Sequence, residues 1–213
     1  MSENNERSET AAAALPEESR EEFRKRLRKS RKQARAALTP EERAEKSART
    51  VRRIAGSPVF REAKTVMIYA ALGAELSLDA LPDQPEAAGK RFCYPLCVSK
   101  TAMVPMVPGA WKDGAYGIRE PVREESEELS PEDIDLVICP CTAFDEACSR
   151  MGMGGGYYDR FLPKCTGARI IMAAYEVQKT DAVPVDEWDR PAEAVFTEDA
   201  VYVRDPSQKE RFL

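Results

Sequence analysis

A series of short apolar, β-prone runs, separated by helical stretches, constrains the fold more than any other feature of this sequence. The central runs occupy residues 65–70, 135–139 and 169–175. Runs of this length that are apolar throughout are typical of strands covered on both faces. The alternation predicts an α/β fold with three α/β/α layers. We expect a mostly parallel, Rossmann-like central sheet with N-terminal helices packed on it.

Local signals predict the helices. A cation-rich helix is expected at 21–38. A second helix should start at Thr39, where Pro40 suits the first helical position and Glu42 can close a capping box. It should run to about residue 55, with Gly56 ending it. Further helices are expected to open within 76–81 and to cover 157–162.

Shorter runs predict the remaining strands and the ends of the domain. Strands are expected at 91–98 and 103–107, and edge strands at 194–196 and 200–203. Pro105 cannot donate to a ladder, which favours an edge position for 103–107 as well. Residues 1–20 have little to bury and are expected to form a disordered tail. Residues 21–213 are then expected to form one domain.

Composition narrows the class of protein and the available chemistry. The net charge is −5, and no apolar run reaches the length of a membrane span or a signal peptide, which favours a cytoplasmic protein. Six cysteines form no C-x-x-C pair, so neither a disulfide framework nor a zinc site is expected. The chain has no histidine. This excludes Ser-His-Asp and Cys-His catalysis, so chemistry would depend on carboxylates, cations, backbone amides and a cofactor or hard metal ion.

The first predicted helix is strongly basic. Eight of the twelve positions 24–35 are Lys or Arg. Arg24 and Arg28 are spaced i, i+4 and share a helix face, and a multiply anionic ligand would need a cationic lining of this kind. The acidic stretch 124–133 is expected to be a solvated face.

A glycine-rich segment at 150–160 is the sharpest motif in the chain. It reads Arg-Met-Gly-Met-Gly-Gly-Gly-Tyr-Tyr-Asp-Arg and lies between the strand expected at 135–139 and the helix expected at 157–162. Glycines in such a turn allow backbone amides to approach an anion closely. The segment matches neither the Walker loop nor the dinucleotide-binding spacing. A tight turn packed against a strand is the alternative interpretation.

Several segments resemble one enzyme family. Gly-Gly-Gly-Tyr-Tyr-Asp-Arg-Phe-Leu at 154–162, with Phe144-Asp145 upstream, is similar to the signature of the 5-formyltetrahydrofolate cyclo-ligases, also called methenyltetrahydrofolate synthetases. Other similar segments follow in family order at 27–28 with 38–43, 69–75, 116–121 and 183–189. The resemblance spans all but the first twenty residues.

The resemblance implies a reaction and its co-substrates. In this family, 5-formyltetrahydrofolate and ATP give 5,10-methenyltetrahydrofolate, ADP and phosphate, with Mg²⁺ as the metal. Phosphorylation of the formyl oxygen would create an activated imidate that N10 of the folate attacks. Such chemistry asks the protein for positioning and charge neutralisation, neither of which needs histidine.

The resemblance also implies roles for individual residues. The expected ATP-binding residues are Arg24, Arg28, Arg150, Gly152, Met153, Gly154, Gly155, Gly156, Tyr157 and Tyr158. The expected catalytic residues are Arg150, Tyr157 and Asp159. The expected folate-binding residues are Tyr69, Glu75, Tyr157 and Tyr158. Magnesium is expected on Asp159 and Asp189, because it commonly takes one or two carboxylates plus phosphate oxygens.

Two alternatives remain open. The chain could be a non-catalytic or altered-substrate paralogue, because Met153, Leu96 and Trp188 depart from residues common in the family. It could instead be a nucleic-acid-binding module built on the basic helix, although that helix lacks interleaved aromatic residues and the chain is acidic. The favoured interpretation has reduced folate and ATP as ligands, no nucleic-acid or membrane partner, and a monomeric or homodimeric state.

Overall fold

The computed structural model describes residues 19–114, 117–186 and 189–213. Most of the tail predicted at 1–20 lies outside these residues, as do Tyr116, Glu187 and Trp188 of the segments that resemble the cyclo-ligases. At the start of the first range, Ser19 is the N-cap of a helix and forms a capping box with Glu22.

The described residues contain four α-helices and twelve strands, besides several short 3₁₀ helices. The helices are α1 Arg20–Ala36, α2 Pro40–Gly56, α3 Pro58–Glu62 and α4 Tyr157–Phe161. The first six strands are β1 Thr65–Met67, β2 Arg91–Cys97, β3 Met103–Val107, β4 Trp111–Asp113, β5 Arg119–Pro121 and β6 Glu127–Glu128. The other six are β7 Leu136–Pro140, β8 Ala143–Phe144, β9 Arg150–Met151, β10 Arg169–Ala173, β11 Ala194–Phe196 and β12 Val201–Val203.

Eight strands form one sheet in the order β12-β11-β10-β7-β1-β2-β3-β6. The five strands from β11 to β2 are parallel to one another, whereas β12 and β3 pair antiparallel with their neighbours. Two short antiparallel pairs, β4–β5 and β8–β9, lie outside this sheet. The mostly parallel central sheet predicted from the apolar runs is therefore confirmed.

Alternating side chains build a separate core on each face of the sheet. Val66 and Ile68 belong to one buried cluster, and Met67 between them belongs to the other. Helix α2 covers the first face with Ile54, and α4 covers the second with Phe161. Because the strands are buried on both sides, their sequences read as continuous apolar runs.

Helix α1 packs at the carboxyl ends of the strands. Its Leu27 is buried in a small cluster with Ala143 and Met151 of the β8–β9 hairpin and with Val183. The signals predicted for α2 are confirmed, since the Thr39 side chain accepts from Glu42 N and the Glu42 side chain caps the Thr39 backbone. Gly56 is the last residue of α2, and Ser57 is its C-cap.

The helix expected to open within 76–81 is wrong. Leu76, Leu78 and Leu81 are all fully buried, but the chain follows turns rather than a helix. Its backbone groups find tertiary partners instead, because the Tyr69 hydroxyl donates to Leu76 O at 2.8 Å and Ser77 N donates to the Ser47 hydroxyl at 3.2 Å. The nearest helical turn is 3₁₀, at Pro85–Ala87.

The edge position predicted for β3 is also wrong. Strand β6, drawn from the acidic stretch, pairs with it, and Leu129 N donates to Pro105 O at 2.9 Å. Pro105 thus contributes as an acceptor where it cannot donate. Strand β11 is likewise internal, and only β12 of the two predicted C-terminal edge strands forms an edge. Among the described residues, no helix combines the length and the apolar character needed to cross a bilayer.

Candidate active site

The strand order places a topological switch point between β1 and β7. From β1 the chain moves to β2 on one side, whereas β7, β10 and β11 lie on the other. In open α/β sheets, ligands bind outside the carboxyl ends of the strands at such a point. Here the segment after β1 leads to Glu75 and the segment after β7 leads to Cys141. Arg35 joins the two, since its Nη1 lies 3.5 Å from both Glu75 Oε1 and Cys141 O.

Four arginines line one face of α1. They occur at positions 24, 28, 31 and 35, spaced by four, three and four residues, which places them along one side of a helix. All four are buried or half-buried, whereas Lys25, Lys29 and Lys32 are exposed. The basic run therefore separates into an arginine face toward the strand ends and a solvated lysine face.

Each arginine of this face reaches a different loop. Arg24 donates to Asp186 Oδ2 at 2.6 Å and to Asp189 Oδ2 at 3.1 Å. Arg28 Nε donates to Gly152 O at 3.2 Å. Arg31 Nη1 donates to Val177 O at 3.2 Å. Helix α1 thus contacts both the loop that carries Asp186 and Asp189 and the glycine segment, near the ends of the strands.

The glycine segment adopts backbone conformations that side chains oppose. Gly154 has φ +104° and Gly156 has φ +66°, both in the region that favours glycine. A Cβ atom at Gly156 would lie 2.6 Å from Arg160 Nη1, and one at Gly152 would lie 3.1 Å from Arg150 Nη1. The segment therefore brings bare backbone and guanidinium groups together, an arrangement suited to binding an anion.

Arg150 is the most buried cation beside this loop. Its side chain is only 5% exposed and forms an ion pair with Asp159, while its guanidinium lies 5.5 Å from the Tyr158 ring centroid. Its Nε is buried and has no hydrogen-bond partner among the described residues, as is also true of Arg31 Nε and Arg35 Nε. A buried donor without a partner is costly. A ligand anion would provide the missing acceptor.

Tyr157 and Arg160 connect the glycine segment to the turn between β2 and β3. The Tyr157 hydroxyl donates to Ser99 O at 3.1 Å, and Arg160 Nε donates to Thr101 O at 2.7 Å. The Arg160 guanidinium also lies over the Tyr157 ring, 5.7 Å from its centroid. These contacts fix the orientation of Tyr157 from both sides.

Glu75 lies on the other side of the site, in a loop held by several hydrogen bonds. Leu72 N donates to Glu75 Oε2 at 3.0 Å, and Tyr69 is buried with its hydroxyl bound to the same loop. Burial and the nearby Glu75 carboxylate raise the pKa of Tyr69 well above its ordinary value. Burial likewise raises the pKa of Tyr158, with Glu75 acting in the same direction. Both phenols therefore stay protonated near neutral pH, and Glu75 is within electrostatic range of each.

The thiols of Cys139 and Cys141, at the carboxyl end of β7, also stay neutral near pH 7. Burial raises the pKa of Cys139 and of Cys141 to about 12, although Arg150 acts in the opposite direction on both. All six cysteines are free. The charged groups available for chemistry are thus guanidinium and carboxylate groups.

The two predicted magnesium ligands face separate arginines. Asp159 pairs with Arg150, whereas Asp189 accepts from Arg24 at 3.1 Å and from Asp186 N at 2.8 Å. Over the described ranges, no group of three or more Cys, Asp or Glu side chains is arranged to hold a metal ion. Mg²⁺ commonly takes only one or two protein carboxylates and fills the rest of its shell with waters and phosphate oxygens, so a pair of carboxylates is chemically compatible with it.

Sequence reasoning did not single out several residues of the site. Arg35 was one member of the basic run, and the signal that could have identified it is its i+7 spacing from Arg28 on the same helix face. Arg160 gave no such signal, since its contacts with Gly155 O and Thr101 O depend on tertiary structure. Of the three departures from the family pattern, Met153 is exposed and accepts from the Thr142 hydroxyl at 3.5 Å, Leu96 is buried in β2, and Trp188 lies outside the described residues.

Together, the parallel sheet, the arginine face and the glycine segment define an α/β enzyme-like protein whose strand ends carry an arrangement suited to an anion. Comparison with known proteins identifies the family. The sequence profile of the 5-formyltetrahydrofolate cyclo-ligase family matches residues 17–198. The chain belongs to this family.

Individual relatives agree with this assignment. The chain is 32% identical over 183 residues to the 5-formyltetrahydrofolate cyclo-ligase of Escherichia coli strain K12, covering 80% of this chain and 98% of the relative. It is 27% identical over 190 residues to the mouse (Mus musculus) 5-formyltetrahydrofolate cyclo-ligase, covering 82% and 93%. The NMR structure of Aquifex aeolicus 5,10-methenyltetrahydrofolate synthetase superposes with a TM-score of 0.74 at 32% identity, covering 85% of this chain and 93% of that one.

Proposed function

We propose that this protein closes a ring on 5-formyltetrahydrofolate, using ATP and giving 5,10-methenyltetrahydrofolate, ADP and phosphate. One observation carries the proposal. An arginine-lined glycine segment and a hydrogen-bonded carboxylate that is only 10% exposed lie at the same edge of the sheet, joined by α1 through Arg28 and Arg35. The first feature suits a polyphosphate and the second suits a ring with several N–H donors.

The phosphates of ATP are assigned to the side of the site that carries the glycine segment. Arg28 and Arg150 would neutralise their charge, and the backbone of residues 152–156 would approach them closely. The unpartnered Nε of Arg150 supports this assignment. Arg24 is bound to Asp186 and Asp189, so it would act mainly on the loop that carries Asp189.

Asp159 and Asp189 are assigned to magnesium. A bound Mg²⁺ would supply charge neutralisation on the phosphate oxygens. The protein's own part is to hold each carboxylate with an arginine, Arg150 for Asp159 and Arg24 for Asp189.

The folate is assigned to the side of the site that carries Glu75. The carboxylate can accept from the amino and ring N–H groups of a reduced pterin, because Leu72 N holds it in one orientation. The rings of Tyr157 and Tyr158 would provide aromatic surface, and Tyr69 supports the loop from beneath.

The bond changes balance without an oxidant or a histidine. The formyl oxygen attacks the γ-phosphorus, and ADP leaves. N10 then attacks the formyl carbon, the former formyl oxygen departs as part of inorganic phosphate, and N10 gives up its proton. Holding the two reactants in line and neutralising the transferred group are the tasks for which this arrangement of arginines is suited.

Six free cysteines, five of them buried, fit a reducing compartment, so a cytoplasmic location is part of the proposal.

Labelled oxygen tests the proposed route. 5-Formyltetrahydrofolate carrying ¹⁸O in the formyl group is incubated with the protein, ATP and Mg²⁺, and the released phosphate is analysed by mass spectrometry. The proposal expects one ¹⁸O atom in each phosphate. Unlabelled phosphate formed together with the methenyl product would refute the phosphorylated intermediate, since the oxygen would then have left as water.

A further inference from the structure

Arg35 and Glu75 form the most buried ion pair at the site. Their side chains are 7% and 10% exposed, and Arg35 Nη1 lies 3.5 Å from Glu75 Oε1. The same Nη1 lies 3.5 Å from Cys141 O, at the end of β7. Arg35 thus connects the loop that carries Glu75 to the neighbouring strand end.

The backbone around Glu75 is fixed independently of Arg35. Ser77 N donates to the Ser47 hydroxyl, and the Tyr175 hydroxyl donates to Glu75 O at 3.4 Å. Leu72 N holds Oε2 of the carboxylate. Among the described residues, Arg35 contacts the other carboxylate oxygen, Oε1.

A carboxylate with so little exposure is costly to keep ionised unless it is paired. Arg35 supplies the pairing charge and approaches only one oxygen, from the helix side. The carboxylate is therefore oriented by Arg35 at Oε1 and by Leu72 N at Oε2, and each oxygen keeps a further lone pair for a ligand.

We infer that Arg35 is a positioning residue that holds the Glu75 carboxylate in place and aimed at the reduced pterin. The inference rests on the proposed function. Arg35 is expected to act on the folate through Glu75, without touching the phosphates of ATP. It should therefore determine affinity for the folate and leave affinity for ATP nearly unchanged.

The test compares Arg35→Met with Lys32→Met, which removes an exposed cation from the same helix. The dissociation constant of 5-formyltetrahydrofolate is measured by calorimetry without ATP, and the Michaelis constants of both substrates are measured by turnover. Arg35→Met should weaken folate binding ~10-fold or more, as for loss of a charge-assisted hydrogen bond. The ATP constant should change by less than ~2-fold, and Lys32→Met should resemble the wild type.

Two further variants keep the inference testable if Arg35→Met does not fold. Arg35→Lys keeps the charge without the planar fork and should bind folate with intermediate affinity. Arg35→Lys takes the place of Arg35→Met in the comparison if the methionine variant does not fold. In a Glu75→Gln background, Arg35→Met should cause little additional loss, because both changes remove the same interaction.

The outcomes separate this inference from the proposed function. Equal effects on both substrates, unchanged folate affinity, or additive losses in the double variant would overturn the role of Arg35 while ring closure stands. A wild-type protein that neither binds nor converts 5-formyltetrahydrofolate would overturn both.

Discussion

At the scale of single residues, guanidinium–carboxylate pairs of unequal burial dominate the site. Arg24 and Asp189 are partly solvated, with about a fifth of each side chain exposed. In the Arg150–Asp159 pair, the arginine is buried and the carboxylate is 28% exposed. A carboxylate that stays open to solvent beside a buried cation can bind a further cation without first being uncovered. Asp159 is therefore the residue whose charge should matter most for turnover.

The variant Asp159→Asn tests this expectation. If Asp159 has its proposed place beside the transferred phosphate, turnover should fall by about 100-fold or more, because a charged group is lost there. Melting temperature should change little, since the amide still occupies the same partly solvated position and can accept from Arg150. The assay is steady-state kinetics with circular dichroism as a check of folding.

The exposed Asp181→Asn is the matched control and should behave as the wild type. Activity of Asp159→Asn within a few-fold of the wild type would remove Asp159 from the chemistry.

At the scale of elements, the glycine segment differs from an ordinary turn in what surrounds it. Gly154 and Gly89 both have positive φ, +104° and +77°, and both are exposed. A Cβ atom at Gly154 would lie 3.9 Å from Arg28 Cζ, whereas one at Gly89 would meet nothing within 4 Å. The two positions share a backbone requirement, and only Gly154 adjoins the arginine face.

The pair Gly154→Ala and Gly89→Ala separates backbone strain from ligand binding. Each should lower the free energy of unfolding by ~1–2 kcal/mol, the cost of a left-handed conformation for a residue with a Cβ atom. Only Gly154→Ala should also raise the Michaelis constant for ATP, by about 10-fold, because the loop is displaced from the phosphates. Urea denaturation and steady-state kinetics measure the two effects. Equal kinetics in the two variants would argue against an anion-binding role for the segment.

Elements with strong local signals could be predicted from the sequence. The capping box at Thr39 and the apolar runs of β1, β7 and β10 depend on neighbouring residues, so their positions were predicted to within a few residues. Residues 76–81 could not be predicted, because leucines that suit a helix are held in turns by Tyr69 and Ser47. Strand β6 was also missed, since its two glutamates are exposed and owe their strand conformation to pairing with β3.

The same distinction applies to the site. The glycine segment and the arginine pair Arg24 and Arg28 were visible as local patterns. The partners of each residue were not, because they depend on how α1 lies across the ends of the strands. The structure was therefore needed to show that Asp189 faces Arg24 and that Arg35 faces Glu75.

At the scale of the whole molecule, the parallel sheet brings neutral thiols into the core directly behind the charged site. Cys139 and Cys141 are buried at the end of β7, and burial raises the pKa of each to about 12 from an ordinary value of 9.0. The folded state therefore keeps these protons to higher pH than the unfolded state does. Their contribution to stability is fully present below pH 9 and is lost as the pH rises toward 12.

This predicts a defined alkaline loss of stability. Between about pH 9 and 12, each such thiol should lower the free energy of unfolding by ~1.4 kcal/mol per pH unit. Urea denaturation at a series of pH values, with a reductant present, measures the slope. Cys139→Ala should reduce the slope by ~1.4 kcal/mol per pH unit, whereas a slope identical to the wild type would contradict the assigned pKa.

Above all, we propose that this protein performs ATP-dependent ring closure on a formylated folate. Near-UV absorbance of the protein with 5-formyltetrahydrofolate tests it most directly, with ATP and magnesium supplied together, singly or not at all. We predict growth of the methenyl chromophore only when both are present. A flat trace under all conditions, with nucleotide binding still detectable, would contradict the claim and favour a paralogue that binds nucleotide without closing the ring.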